Sequence, residues 1–283
     1  MGAPEGDPLF PQIPPAAEPP DLIAPPPGRY PDDIQTPWGW KELFVFMAFG
    51  LVCYLFLSTI LVMAFYSRGI TLAQLKGSTY FSSLFAVLDT LLIWLGLIGY
   101  LYFTIRVRYG KPLWRTLGWR PFPSGISRRM AVLACLLGGT LVALLVGVAS
   151  SFVGSKAKLP IELFFQDRRS IWLMMAMAVV IAPIVEETLF RGYLYPMLAR
   201  SLGIGGGVLL TGIIFGGFHS LQLWGGWGQI ALLIVVGIFF TYVRAVTGTV
   251  LASYLLHVSY NFFLFASFYF ATSGFHKLPS LPH

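Results

Sequence analysis

The chain has 283 residues, of which 56% are hydrophobic and 11% charged, and its net charge is +7. This apolar excess is too high for a water-soluble domain and predicts a multi-span membrane protein, because each span needs about 20 consecutive apolar residues. Residues 1–40 hold six of the twelve acids and one base, so the rest carries +12. That charge suits loops beside anionic lipid headgroups, and no interleaving of bases with exposed aromatic residues points to nucleic acid.

The amino-terminal stretch is rich in proline. Residues 1–37 contain twelve of the twenty prolines, a composition typical of a disordered, polyproline-prone tail. We therefore divide the chain into this tail, amino-terminal transmembrane helices with a basic loop (38–170), a catalytic transmembrane core (171–270) and a carboxyl-terminal tail (271–283). A scaffold that recruits partners through the proline-rich tail is one alternative interpretation.

Apolar stretches follow the tail in succession, and we predict an all-α bundle of about seven transmembrane helices. They begin near Leu43, Phe81, Met130, Trp172, Gly205, Gln229 and Thr249. The loop between the second and third stretches carries seven bases, and the positive-inside rule places it in the cytoplasm together with the amino terminus. The connection 154–170 is amphipathic, which fits a plain connection or a segment on the membrane surface.

The fourth stretch becomes ionic partway along, at Glu186, Glu187 and Arg191. A charge at bilayer depth is costly, so such residues usually face the interior of a helix bundle. Glu187 and Arg191 are one helical turn apart and predict a structural ion pair. Glu186 points about 100° away, which leaves it free for chemistry. The alternative is that all three charges only hold helices together.

The remaining polar groups lie on two later stretches: His219 on the fifth, and His257 with Asn261 on the seventh. A carboxylate and an imidazole beside a shared water are the minimum for general-base hydrolysis. An amide and a second imidazole N–H can donate to the oxyanion of a tetrahedral intermediate. The set therefore predicts hydrolysis of a peptide or amide bond inside the membrane, without a covalent intermediate.

Two alternatives use the same side chains. Glu186, His219 and His257 would form a zinc site of two histidines and one carboxylate. No H-E-x-x-H motif is present, so we favour a site without a cofactor. The buried polar residues would also serve a proton-coupled membrane transporter, but the chain shows no internal repeat of the kind that many transporters have.

The predicted depths of the polar residues conflict. Along straight helices, Glu186 lies about 21 Å from Trp172, while His219 lies about 8–12 Å from the tryptophans that follow it. Both sets of tryptophans should mark the same membrane face, so the two groups would differ in depth by about 10 Å. A bend at Pro183 or at the glycines of the fifth helix would have to close this gap.

Three motifs in order resemble the CAAX protease and bacteriocin-processing (CPBP, or Abi) family of intramembrane endopeptidases. They are E-E-x-x-x-R at 186–191, F-x-x-x-H at 215–219 and H-x-x-x-N at 257–261. Pro183, ahead of the acids, also looks like the family. The resemblance covers about residues 170–265.

The resemblance implies a glutamate-type membrane protease. It gives one pair of residues the task of activating water and another that of holding the oxyanion: Glu186 with His219, and His257 with Asn261. Glu187 and Arg191 would support them. The prenyl-protein branch of the family removes the last three residues of prenylated CAAX proteins. The resemblance to this branch implies catalysis without a metal. The expected partners are membrane lipid and a protein or peptide substrate, prenylated or not, and no nucleic acid.

Overall fold

The computed structural model describes residues 31–123, 125, 127–153 and 164–278. In this described part, six helical runs are long and apolar enough to cross a membrane: Trp40–Ser67, Thr79–Arg108, Arg128–Phe152, Arg168–Phe218, Trp227–Thr247 and Val250–Ala271. The all-α membrane bundle is confirmed, and the protein is an integral, multi-pass membrane protein. The placement of its amino terminus in the cytoplasm stays a prediction.

Ten α-helices and three π-helical segments follow one another along the described chain. Helices α1 to α5 are Trp40–Ser67, Leu72–Gly77, Thr79–Tyr102, Leu113–Thr116 and Arg128–Phe152. Helices α6 to α10 are Arg168–Ala176, Ala182–Glu187, Tyr195–Phe218, Trp227–Thr247 and Val250–Ala271. The π-helical segments are Phe103–Arg108 after α3, Met177–Ile181 between α6 and α7, and Thr188–Leu194 between α7 and α8. Three predicted regions lie outside the described residues: the tail up to residue 30, residues 154–163 of the amphipathic connection, and residues 279–283.

The helices differ in how much of their surface the protein itself buries. In the most apolar window of α1 only 6% of residues are buried, against 39% in the run Arg168–Phe218. Large apolar side chains such as Leu51 and Phe56 on α1 are exposed. They face lipid, which is as apolar as they are, so their exposure carries no hydrophobic penalty. The interior of the protein is formed mainly by α6 to α10.

The run Arg168–Phe218 contains both the fourth and the fifth predicted spans. Gly203 breaks it, with φ 80° and ψ 162°, a conformation that glycine adopts without steric cost. The part after Gly203 folds back on the part before it. The close approach is shown at Gly207, where an added Cβ would lie only 2.6 Å from Cα of Ala199. The expected count of about seven spans therefore becomes six runs, of which one is a helical hairpin.

Two of the π-helical segments end two residues before a proline. Met177–Ile181 precedes Pro183, and Thr188–Leu194 precedes Pro196. Inside a helix, proline has no N–H to donate and its ring clashes with the carbonyl four residues earlier. In both places, the residue before the proline donates its N–H five residues back instead of four. The wider turns thus accommodate each proline without ending the helix.

The chain ahead of α1 packs against the core. The carboxylate of Asp33 pairs with the buried guanidinium of Arg244 at 2.7 Å. Trp38 stacks on Tyr193 and donates its indole N–H to the Tyr193 carbonyl oxygen at 3.0 Å. Residues 32–37 are therefore part of the unit Asp32–His283. Proline content alone gave no sign of these contacts.

We predict that Gly207→Ala destabilises the protein relative to Gly205→Ala. A methyl group at 207 would meet the backbone of Ala199 at 2.6 Å, whereas nothing lies within 4 Å of one at 205. Both variants gain the same helix propensity, so the difference between them isolates overpacking, about 1–3 kcal/mol. Equilibrium unfolding in detergent micelles measures both, and equal stabilities would contradict the tight crossing of the hairpin.

Candidate active site

The two adjacent glutamates of α7 lie in different surroundings. Glu187 is completely buried. The side chain of Glu186 is 17% exposed and borders a cavity. Successive residues of a helix point about 100° apart, which is why neighbours in sequence can face a dry interior and an open space.

Glu187 and Arg191 form the predicted ion pair. Nη1 of Arg191 lies 2.9 Å from Oε1 of Glu187, and both side chains are fully buried. Arg191 also donates from Nε to Thr241 Oγ1 at 3.1 Å and from Nη2 to the Gly237 carbonyl oxygen at 3.0 Å. Its guanidinium carbon lies 4.4 Å from the centre of the Phe215 ring, within range of a cation–π contact. The pair therefore connects α7 to α8 and α9.

The hydrogen bonds of the two histidines fix their tautomers. Nδ1 of His257 lies 2.9 Å from Glu187 Oε1, and Nδ1 of His219 lies 2.8 Å from the Phe215 carbonyl oxygen. An ionised carboxylate and a carbonyl oxygen only accept hydrogen bonds, so each Nδ1 carries the proton. In a neutral ring of this tautomer Nε2 has a free lone pair, and in a ring protonated at both nitrogens Nε2 donates as well.

Glu186 lies between the two imidazole rings. Its Oε1 is 3.8 Å from Nε2 of His219, and its Oε2 is 3.8 Å from Nε2 of His257. Both separations are too long for a direct hydrogen bond. A water about 2.8 Å from both members of either pair would fit between them. The structure thus brings together the carboxylate and both histidines that the sequence predicted would meet.

The predicted 10 Å conflict in depth does not occur, because the hairpin sets the register of the helices. Glu186 and His219 lie nearly the same number of residues from Gly203, one before it and one after. Antiparallel packing across the hairpin is marked by Phe190, whose ring contacts Phe215 and Phe218. No bend is needed, and the tryptophans are a poor guide to depth in this protein.

The site opens into a cavity of about 390 Å³ inside the bundle. Glu186, His219, His257 and Asn261 contribute polar groups to its wall. Much of the remaining wall is aromatic or aliphatic and includes Trp94, Phe164, Phe165, Met174, Leu264 and Phe265. Such a chamber accepts an apolar group beside the polar centre.

Asn261 lines the same cavity, but its amide already has a backbone partner. Nδ2 donates to the carbonyl oxygen of Ala178 at 2.7 Å. A primary amide carries two N–H groups, so one more can donate to a bound molecule. The predicted fourth member of the site is therefore at the cavity, tied to the π-helical segment Met177–Ile181.

The zinc alternative uses the same three side chains. Among the described residues, no group of three or more histidine, cysteine, aspartate or glutamate side chains is placed to hold a metal ion. Nε2 of each histidine lies 3.8 Å from a different oxygen of Glu186. The preference for a site without a metal stays a prediction.

The sequence analysis did not identify some residues of the site. Thr241 binds Arg191, and Thr90 and Trp94 bring α3 to the cavity. Thr241 follows an apolar run, residues 230–240, and this was a signal, since a polar side chain inside a membrane helix usually has a partner. No local pattern marks Thr90 or Trp94, because their role depends on how α3 packs.

The fold and the site together define a polytopic membrane protein in which a partly exposed carboxylate and two imidazoles line one cavity. Residues 168–263 match the model of a family described as Rce1-like, type II CAAX prenyl endopeptidase. The match covers about a third of the chain and agrees with the resemblance drawn from the three motifs. Searches of curated proteins and of solved structures find no significant match.

We predict that Arg191→Met destabilises the protein by about 3–5 kcal/mol, because it leaves the carboxylate of Glu187 buried without its counter-ion. The double variant Glu187→Gln, Arg191→Met should lose less, since glutamine is neutral and its oxygen still accepts from Nδ1 of His257. Equilibrium unfolding in micelles gives both values. A double variant less stable than the single one would show that the charges do not act as a pair.

Proposed function

We propose that the protein is an intramembrane endopeptidase that hydrolyses a peptide bond with a water activated by Glu186. The observation that carries this proposal is the position of Glu186, 3.8 Å from Nε2 of two imidazoles on different helices, at the wall of an internal cavity. A purely structural acid in a membrane interior is expected to be paired and dry, as Glu187 is. Glu186 is neither.

In the first step, water attacks the carbonyl carbon of the scissile bond. The water donates one hydrogen bond to Glu186 and one to the free lone pair at Nε2 of His219, so its oxygen lone pair is aimed at the substrate. Glu186 takes a proton as the C–O bond forms, and a base placed in this way contributes about 10²–10⁴-fold to the rate.

The negative charge that develops on the carbonyl oxygen needs donors. His257, protonated at both nitrogens, donates from Nε2, and the buried carboxylate of Glu187 at its Nδ1 stabilises that positive charge. The second N–H of Asn261 is the other donor. When the tetrahedral intermediate collapses, the C–N bond breaks and Glu186 passes its proton to the leaving amine. No covalent enzyme intermediate forms.

The substrate class follows from the family and the cavity. The matched family is described as acting on CAAX prenyl proteins, and the aromatic and aliphatic wall suits an apolar group held beside the reacting bond. We propose a membrane-bound or prenylated protein of the CAAX type, cleaved close to its lipid-modified end. Membrane lipid surrounds the enzyme, and the basic loop after α3 is proposed to face the cytoplasm.

We predict that Glu186→Gln lowers cleavage of a farnesylated CAAX peptide by at least about 10²-fold, because an amide cannot accept the proton of water. The matched control is Asp89→Asn on α3, whose retained oxygen still accepts from Ser58 as Asp89 does at 2.7 Å. The measurement is release of the carboxyl-terminal tripeptide from the peptide in liposomes. Cleavage that survives Glu186→Gln would remove the proposal.

We predict that chelators leave this cleavage unchanged. The proposed base is a carboxylate that acts on water directly, so no step of the proposed mechanism needs a metal ion. The assay compares rates before and after dialysis against a strong chelator, and again after addition of zinc. Loss of activity on chelation with recovery on added zinc would replace the proposed mechanism by a metal-dependent one.

A further inference from the structure

The carbonyl of Ala178 lies in a π-helical segment and loses both of its normal helical donors. Its partner in an α-helix would be the N–H of Ala182, but that N–H donates to the Met177 carbonyl oxygen. Its partner in a π-helix would be residue 183, which is a proline without an N–H. Ala178 is half-buried at the cavity wall, and a carbonyl inside a membrane protein that lacks a donor is costly, so a donor from the protein stabilises it.

The side chain of Asn261 supplies that donor. Nδ2 donates to the Ala178 carbonyl oxygen at 2.7 Å, from α10 to the segment Met177–Ile181. Ala178 and Asn261 both line the cavity, as do Glu186 and His257. The bond holds the amide plane of Asn261 at the cavity wall and leaves its second N–H for a bound molecule.

We propose that Pro183 is a positioning residue: its missing N–H frees the Ala178 carbonyl, and that carbonyl orients the Asn261 amide for oxyanion binding. This inference rests on the proposed function for the last step only. The link from Pro183 to the Asn261 amide is a property of the folded protein and holds without any substrate.

The alanine variant tests the link directly. Pro183→Ala restores a backbone N–H that competes with Asn261 for the Ala178 carbonyl and relieves the steric cause of the π-helical turn. The amide of Asn261 then loses its fixed orientation. The matched control is Pro112→Ala: Pro112 follows the first π-helical segment, Phe103–Arg108, and does not line the cavity.

The first readout is independent of activity. Asn261 is the only asparagine in the chain, so asparagine-selective nitrogen-15 labelling gives a single side-chain amide in the NMR spectrum. We expect one of its two protons to be shifted downfield by the bond to Ala178, and this shift to be lost in Pro183→Ala but kept in Pro112→Ala. An unshifted amide in the unaltered protein, or an unchanged amide in Pro183→Ala, overturns the inference.

The second readout is kinetic. Loss of one oxyanion donor costs about 10²–10³-fold in kcat, and a donor that is only misoriented should cost about tenfold, with KM nearly unchanged. In an Asn261→Ala background, Pro183→Ala should cost nothing further, because the group through which it acts is gone. Equal losses in both backgrounds would show that Pro183 acts on the helix in general.

The two proposals fail in different ways. If the unaltered protein cleaves no CAAX peptide, the proposed function fails while the NMR result still decides the link between Pro183 and Asn261. If the protein cleaves and Glu186→Gln abolishes cleavage, but Pro183→Ala lowers kcat equally with and without Asn261, only the positioning role fails.

Discussion

The buried ion pair of Glu187 and Arg191 is the interaction on which the rest of the site depends. Taking two charges out of water costs several kcal/mol each, and only good geometry with further hydrogen bonds recovers it. Here the guanidinium uses three nitrogens, toward Glu187, Thr241 and the Gly237 carbonyl, and the carboxylate also binds Nδ1 of His257. The pair therefore fixes three helices and the imidazole of His257 together, so no member can move without leaving a charge unpaired.

Proline has a constructive role in this fold. In a water-soluble helix it removes a hydrogen bond that solvent can replace, whereas in a membrane the freed carbonyl must find a donor within the protein. For the Ala178 carbonyl, which Pro183 leaves without a backbone donor, the donor is Asn261. The interrupted helix is thereby linked to α10. A second proline, Pro196, follows the π-helical segment Thr188–Leu194, which carries Arg191. Both defects therefore adjoin the functional residues.

The sequence predicted the bundle and the meeting of Glu186, His219 and His257, because motifs on helices encode which side chains share a face. The predicted depth difference between Glu186 and His219 was wrong, because the tryptophans were assumed to mark one plane. The register of the two helices is set instead by the backbone at Gly203, whose unusual φ no sequence pattern reveals. Proline-rich composition also cannot show the ion pair that Asp33 makes with Arg244, 211 residues along the chain. Contributions from α3 depend on packing between distant helices, which local periodicity does not carry.

The proposed division of labour between the adjacent carboxylates rests on their different burial and partners. Glu187 is dry and neutralised by Arg191, so it can hold a protonated His257 but cannot take a proton from water without breaking the pair. Glu186, one residue earlier and about 100° around the helix, has no ionic partner within hydrogen-bonding distance and borders a cavity. A hydrolase inside a membrane needs both conditions at once: a charge that the protein has already compensated, and a carboxylate left open to the few waters that the interior admits. Neighbouring positions on one helix provide them without any further element.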